Sequence, residues 1–163
     1  MSLGVAQALG ETPILSEIGR REHSAPMVSK FVLPPELRDQ IIAEARAAYP
    51  RECCGLIEGL QEHNRARALV LHPTANFAPE IDRFEIDPVA HLRLLRELRG
   101  TERQIVGCYH SHPNGRLEPS DWDSEGMRDD GLVWVIAALD GLGVPATFAA
   151  FLGHSFHAVP LAE

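Results

Sequence analysis

The sequence predicts an α/β or α+β domain organised around a mixed sheet. Apolar runs of strand length recur along the chain, and two segments with helical spacing lie between them rather than in a block of their own. Three further strand-like runs, separated by turn signals, close the sequence. The 163 residues correspond to one domain with one sizeable core. They are too few for a (β/α)₈ barrel, which takes about 250.

The elements follow in order. Residues 1–30 mix Gly, Ser, Glu and Pro without a sustained period, so they read as a flexible leader with one short helix near 13–18 and a second candidate start at Met27. The domain proper is expected over 31–163. Phe31-Val32-Leu33 reads as a short strand. Pro34-Pro35 opens a helix, since proline is tolerated in the first turn. Leu37, Ile41, Ala45 and Ala48 line one face of it, and Pro50 ends it. Residues 53–57 form a buried strand, residues 68–71 another, and the Pro- and Asn-bearing stretch 72–80 a loop. Residues 83–86 are expected as a short strand. Asp87 then caps a helix with Pro88 first, in which Val89, Leu92, Leu95 and Leu98 repeat every three residues before Gly100 stops it. Residues 104–110 form a strand and 121–129 a short helix. The closing strands are 132–139, 146–152 and 155–161, with Asp140-Gly141 and Gly153-His154 as turns.

Composition bounds the function classes. Apolar residues make up 45% and charged residues 23%, close to the globular average, so whole-chain disorder is excluded. The net charge of −8 argues against a phosphate-backbone binder, and no nucleic-acid partner is expected. Three cysteines, Cys53, Cys54 and Cys108, are an odd number with two adjacent. This is not a disulfide framework and suits a reduced, cytoplasmic setting. No apolar run reaches the length of a membrane span, and the N-terminus lacks the basic-then-apolar pattern of a signal peptide.

One segment carries chemistry: His110-Ser111-His112-Pro113-Asn114-Gly115, then Glu118-Pro119-Ser120-Asp121-Trp122-Asp123. In a strand, residues i and i+2 share a face, so His110 and His112 present two imidazoles side by side. Val106 and Cys108 are expected beneath them as an apolar floor. Pro113 ends the strand, Asn114-Gly115 turns the chain, and Asp123 returns in the first turn of a helix. Two His and a carboxylate leave a fourth position open, the pattern of catalytic rather than structural zinc. Ser120-x-x-Asp123 equally fits a helix cap, and spacing alone leaves metal binding and capping level. One carboxylate can serve both. A hydrolytic site also needs a proton acceptor, for which Glu52 is the candidate. It follows the turn Tyr49-Pro50-Arg51 and enters an apolar strand, where burial would raise its pKa.

Arg51-Glu52-Cys53-Cys54-Gly55-Leu56-Ile57-Glu58-Gly59 together with His110-x-His112, seven residues, Ser120, two residues and Asp123 resembles the JAMM motif. Over residues 31–163 the chain is similar to the MPN+ (Mov34/PAD-1, JAB) zinc metallopeptidases, the small bacterial members most of all. The resemblance implies a three-layer α/β/α fold with a mixed central sheet, cytidine-deaminase-like. It implies Zn²⁺ held by His110, His112 and Asp123, with Glu52 shuttling the proton of the catalytic water and Ser120 stabilising the oxyanion. The implied substrate is the C-terminal tail of a ubiquitin-like or sulfur-carrier protein, cut at a peptide, isopeptide or small-amine amide bond. Residues 76–86 correspond to the first variable insertion and are a candidate substrate strip. The 40 residues after Asp123 leave no room for the long second insertion of eukaryotic linkage-specific deubiquitinases.

Other readings carry less. Cys53 and Cys54 are expected to pack rather than act as nucleophiles, and Cys108 lies too far back on its strand to close the metal site. His72, His154 and His157 are expected at the surface, and Trp122 and Trp134 in packing. A deaminase wants His-x-Glu and Pro-Cys-x-x-Cys, which are absent. A RadC-like repair relative shares the metal triad but is disfavoured by the acidic balance. The alternative to an enzyme is a zinc-stabilised MPN binding module without turnover, against which the retention of Glu52 and Ser120 argues.

Overall fold

The computed structural model describes residues 28–126, 131–139, 141, 146–153 and 156–163. Of the leader expected over 1–30, residues 1–27 lie outside them, as do the end of the helix expected to Asp129 and the turn residues Asp140 and His154; Val28 is instead buried in the core and Lys30 opens the first strand. The described elements are β1 Lys30–Val32, α1 Pro35–Ala48, β2 Cys54–Glu62, β3 Arg65–Thr74, α2 Pro88–Glu97, β4 Gln104–His112, α3 Asp121–Gly126, β5 Val133–Ala138, β6 Thr147–Leu152, β7 His157–Ala158 and β8 Leu161–Ala162. The strands form one mixed sheet in the order β7-β6-β5-β4-β2-β3-β1-β8. Pairings β1–β3, β1–β8 and β4–β5 are parallel, and the others antiparallel.

Helices cover both faces, giving the α/β/α layering. On one face α1 buries Leu37, Ile41 and Ala45 against Phe31, Ile57, Ala68, Val106, Tyr109, Val135 and Ala150. Their i, i+4 spacing makes a single apolar stripe, as the sequence predicts. On the other face Leu94 of α2 packs with Leu56, Ile105, Cys108 and Trp134, flanked by Phe84, Ile86 and Leu98. Gly55 of β2 sits beneath the Tyr109 ring. A Cβ there would meet ring atoms of Tyr109 at 2.5 Å, so only glycine lets the tyrosine cross and donate to Glu44 (2.5 Å).

Several elements differ from expectation. The first hairpin is longer, because β3 runs through His72 to Thr74 and includes Pro73 opposite Gly55. β1 pairs with β3 only at Arg65–Arg67, so among the described residues Pro73 lies along an uncovered edge, where a missing N–H is tolerated. Residues 83–86 are not a strand. Only an isolated bridge joins Asn76 to Ile86. Val106 is not beneath the histidines. The register between β2 and β4 shifts at Ile57/Glu58, which leaves Val106 as an extra residue and turns it to the α1 face, while Ile105 and Cys108 stay on the α2 face. In α2 the three-residue repeat faces outward. Val89, Leu92 and Leu95 are exposed, whereas Leu94 is buried.

The run 155–161 does not form one strand. It divides into β7 on one edge of the sheet and β8 on the other, with Val159 and Pro160 between them. A dipeptide spans roughly 7–11 Å between its flanking residues, so the sheet must curl until its edges nearly meet, with α1 inside the curve. Pro160 O accepts from Phe31 N–H (3.0 Å) and Ala162 O from Leu33 N–H (2.9 Å), fastening the closure.

A candidate metal centre in a cleft

The site forms on the α2 face of the sheet. Cys54 pairs with His110, which puts Glu52, two residues earlier, beside His112. Ser111, between the histidines, points the other way and fixes that alignment. Its Oγ accepts from Cys53 N–H (2.9 Å), and its own N–H donates to Cys53 O (3.1 Å). Glu52, His110 and His112 offer ligand atoms that all lie within 4.8 Å of one another. The two Nε2 atoms face each other at 3.0 Å. Asp123 arrives from α3, with Oδ1 3.4 Å from His110 Nε2 and Oδ2 3.4 Å from His112 Nε2. All four side chains are buried, none more than 6% exposed.

Several features fit these residues to a cation. Nitrogens bound tetrahedrally at 2.0–2.1 Å stand about 3.3 Å apart, close to the spacing found. His112 Nδ1 lies 2.8 Å from Arg116 O; donating there leaves Nε2 of the neutral ring as a lone pair turned inward. Glu52 Oε2 and His110 Nδ1 are buried without a hydrogen-bond partner. The His110 ring is held instead by stacking on Phe84, centroids 4.2 Å apart. Two imidazoles and carboxylates are a donor set that zinc accepts.

The protonation states agree. Burial lowers the His110 pKa and outweighs Asp123, so that ring stays neutral. Burial would raise Asp123, but His110, His112 and the Ser120 N–H hold its carboxyl well below the usual range. Burial also disfavours charge on His112, yet Asp123, the Arg116 carbonyl and Glu52 carry its pKa upward, so protons compete with a cation for that ring. Glu52 is pushed up to about 8, chiefly by burial, with Asp123 and Asp82 adding to the rise and His112 opposing it.

Capping and site geometry coexist at α3. Ser120 Oγ accepts from Asp123 N–H (3.2 Å) and Asp123 Oδ2 accepts from Ser120 N–H (2.6 Å), a reciprocal cap that orients the carboxylate. The Ser120 hydroxyl proton remains available. The cleft above has a volume of about 360 Å³ and is lined by Glu52, Asp82, His112, Asn114, Arg116, Glu118, Pro119, Ser120 and Trp122. The structure thus brings all five expected residues together.

Other expectations divide. Cys53, Cys54 and Cys108 are free and buried, and burial pushes Cys53 up to about 12, far from a nucleophile. Trp134 packs in the core, but Trp122 does not. It is 48% exposed, lines the cleft and lies under the Arg83 guanidinium, 3.3 Å from its ring centroid. His157 is exposed, whereas His72 is bonded to the buried Glu58 (2.8 Å), and His154 lies outside the described residues. Sequence reasoning named the 76–86 strip as a whole and singled out none of Phe84, Asp82 and Asn76 within it. All three lie in the 76–86 strip, where no periodicity marks an inward-facing side chain.

Comparison with known proteins accords with this geometry. The family model for prokaryotic homologs of the JAB domain matches residues 34–151. A desampylase of Haloferax volcanii is 32% identical over 118 residues, covering 69% of this chain and 84% of that protein. A probable TtuB-protein conjugate cleaving protease of Thermus thermophilus is 32% identical over 108 residues, 66% of each chain. The solution structure of a Desulfitobacterium hafniense protein superposes with a TM-score of 0.72 at 24% identity, covering 81% of this chain and 91% of that one, and so shares the fold. With the matched domain spanning most of its length, the chain belongs to the JAMM/MPN+ (JAB-domain) metallopeptidases, as one of the small prokaryotic members.

Proposed function

We propose that the chain hydrolyses an amide bond at the C-terminal tail of a ubiquitin-like or sulfur-carrier protein, releasing that protein from a conjugate. The observation that carries this reading is the convergence of Glu52, His110, His112 and Asp123, all buried, beside a cleft of about 360 Å³. The relatives named for cleaving TtuB-protein conjugates and as desampylase support a conjugate as the substrate kind.

In this reading His110, His112 and Asp123 hold zinc. Zinc so held supplies Lewis acidity, lowering the pKa of water to about 7 and polarising the scissile carbonyl. Glu52 takes the proton of the attacking water on its carboxylate and returns it to the departing amine. Its burial and its unpartnered Oε2 suit a group that must hold a proton and then give it up. The Ser120 hydroxyl donates to the developing oxyanion, and the Arg116 carbonyl fixes the tautomer of His112. The test is cleavage of a panel of Gly-Gly-tailed ubiquitin-like and sulfur-carrier fusions, with peptide and isopeptide linkages, by wild type and Glu52→Gln. The variant is expected to bind one zinc, measured by metal analysis, and to lose at least about 10² in turnover. Undiminished cleavage by Glu52→Gln overturns the mechanism.

A further inference from the structure

One carboxamide links the candidate base to the strip that borders the cleft. Asn76 Nδ2 donates to Glu52 O (3.0 Å) and to Arg83 O (2.9 Å), and its Oδ1 accepts from Ala78 N–H (3.0 Å) and Glu85 N–H (3.0 Å). Two donors and two acceptors are the full hydrogen-bonding capacity of the group. The strip it closes carries Phe84, stacked on His110, Asp82 at the cleft wall, and Arg83 over Trp122. Arg51, beside Glu52, grips the same strip separately, through the carbonyls of Ala78 (2.6 Å), Glu80 (3.2 Å) and Pro79 (3.4 Å).

We infer that Asn76 is a positioning residue. It holds the Glu52 main chain and the 76–86 strip as one unit, so that the base stands at a fixed distance from the surface along which the tail lies. The inference rests on the amide-hydrolase reading above. Its physical basis is that Glu52 precedes β2, its Oε2 has no partner, and its carbonyl is held by a side chain. The Ser111 hydroxyl holds the N–H end of that peptide group, at Cys53, and Asn76 holds its carbonyl end; displacement of the base by about 1 Å costs on the order of 10² in rate.

Two variants separate the two halves of the carboxamide. Asn76→Asp keeps an oxygen for Ala78 and Glu85 but sets a second oxygen against the carbonyls of Glu52 and Arg83. Asn76→Ala removes all four bonds, and Arg51→Met loosens the strip without touching the Glu52 carbonyl. For the zinc-loaded protein on the best-cleaved fusion, Asn76→Asp is expected to lose 30- to 100-fold in kcat with KM within about threefold. Asn76→Ala should lose kcat and also raise KM, and Arg51→Met should raise KM with kcat within about threefold. A purely structural role would not give this split. Wild-type kcat in folded Asn76→Asp overturns the inference, as does an Asn76→Asp loss confined to KM. A readout independent of turnover is the NMR pair of Asn76 carboxamide protons, expected as two separate, slowly exchanging signals. If the wild type cleaves no conjugate, the hydrolase reading fails, and these signals decide the anchoring alone. Protection upholds it, and exchange at the solvent rate overturns it.

Discussion

Glu52 is where local sequence and final environment diverge most. An isolated Glu after a turn reads as solvated, and only the strand it enters hints at burial. The structure leaves it 6% exposed, with Asp123 and Asp82 adding to the cost of its charge, and its carboxyl is pushed up to about 8 from 4.5. The consequence for the metal-free protein has a definite sign. The unfolded chain ionises Glu52 above about pH 4.5, while the native state keeps it neutral until about 8, so native stability falls across that window and the loss is complete above it. Glu52→Gln removes the dependence. In the presence of a chelator the variant should melt higher than wild type at pH 8, by at least about 1 kcal/mol or roughly 2–4 °C, and level with it at pH 4. Equal melting at both pH values in calorimetry refutes the burial argument. The histidines were more legible, because alternation along one strand is enough to pair them. Val106 was not, because its face depends on a bulge, which is a property of two strands in register rather than of one.

At the scale of elements, α2 shows what periodicity can and cannot fix. Asp87 and Pro88 mark its start, and the Asp87 carboxylate does accept from Val89 N–H (2.8 Å). Gly100, at φ +81°, marks its end. The apolar repeat at every third residue nevertheless selects the wrong side, since a spacing of three drifts around a helix of 3.6 residues per turn. The residue that packs is Leu94, with Leu98 four further on. Leu94→Ala is expected to cost about 2–5 kcal/mol and Leu95→Ala within about 0.5. Denaturant unfolding of the two variants checks the helix's rotation, and the reverse ranking would mean that the α2 face is misassigned. From sequence the 76–86 strip reads as the end of a loop and a short strand over 83–86, and the strand does not form. Its order comes from Asn76 and Arg51, and such side-chain ties between distant segments leave no period in a sequence.

For the molecule as a whole, composition bounded the answer early. The chain is acidic and of one domain's length, and no helix among the described residues is long and apolar enough to cross a membrane. The mixed sheet followed from the order of strands and helices, and its three-layer arrangement from the family resemblance, but the curl of the sheet followed from neither, because it depends on which edges β7 and β8 join. Metal binding should be felt across the whole fold. A ligand that binds only the native state adds RT ln(1 + [L]/Kd), about 2.7 kcal/mol at a hundredfold excess over Kd. Chelation is therefore expected to lower the melting temperature by roughly 5–11 °C, and zinc to restore it in wild type but not in His112→Ala. Because protons compete with metal for the imidazoles, and the His112 pKa is raised, the gain should fade as pH drops toward 5. A melting temperature indifferent to chelator removes zinc from the native structure.

The meeting of the two sheet edges at Val159-Pro160 also bears on how the chain reaches its fold. β1 lies early in the chain and one of its two neighbours, β8, about 130 residues later, so this pairing carries one of the largest loop-closure costs in the sheet. During synthesis from the N-terminus, Phe31 and its strand must wait with one side unpaired until residues 161–162 have been made. A waiting edge of that kind is where a nascent chain is most exposed to pairing with another, and the exposure ends only with the closing dipeptide.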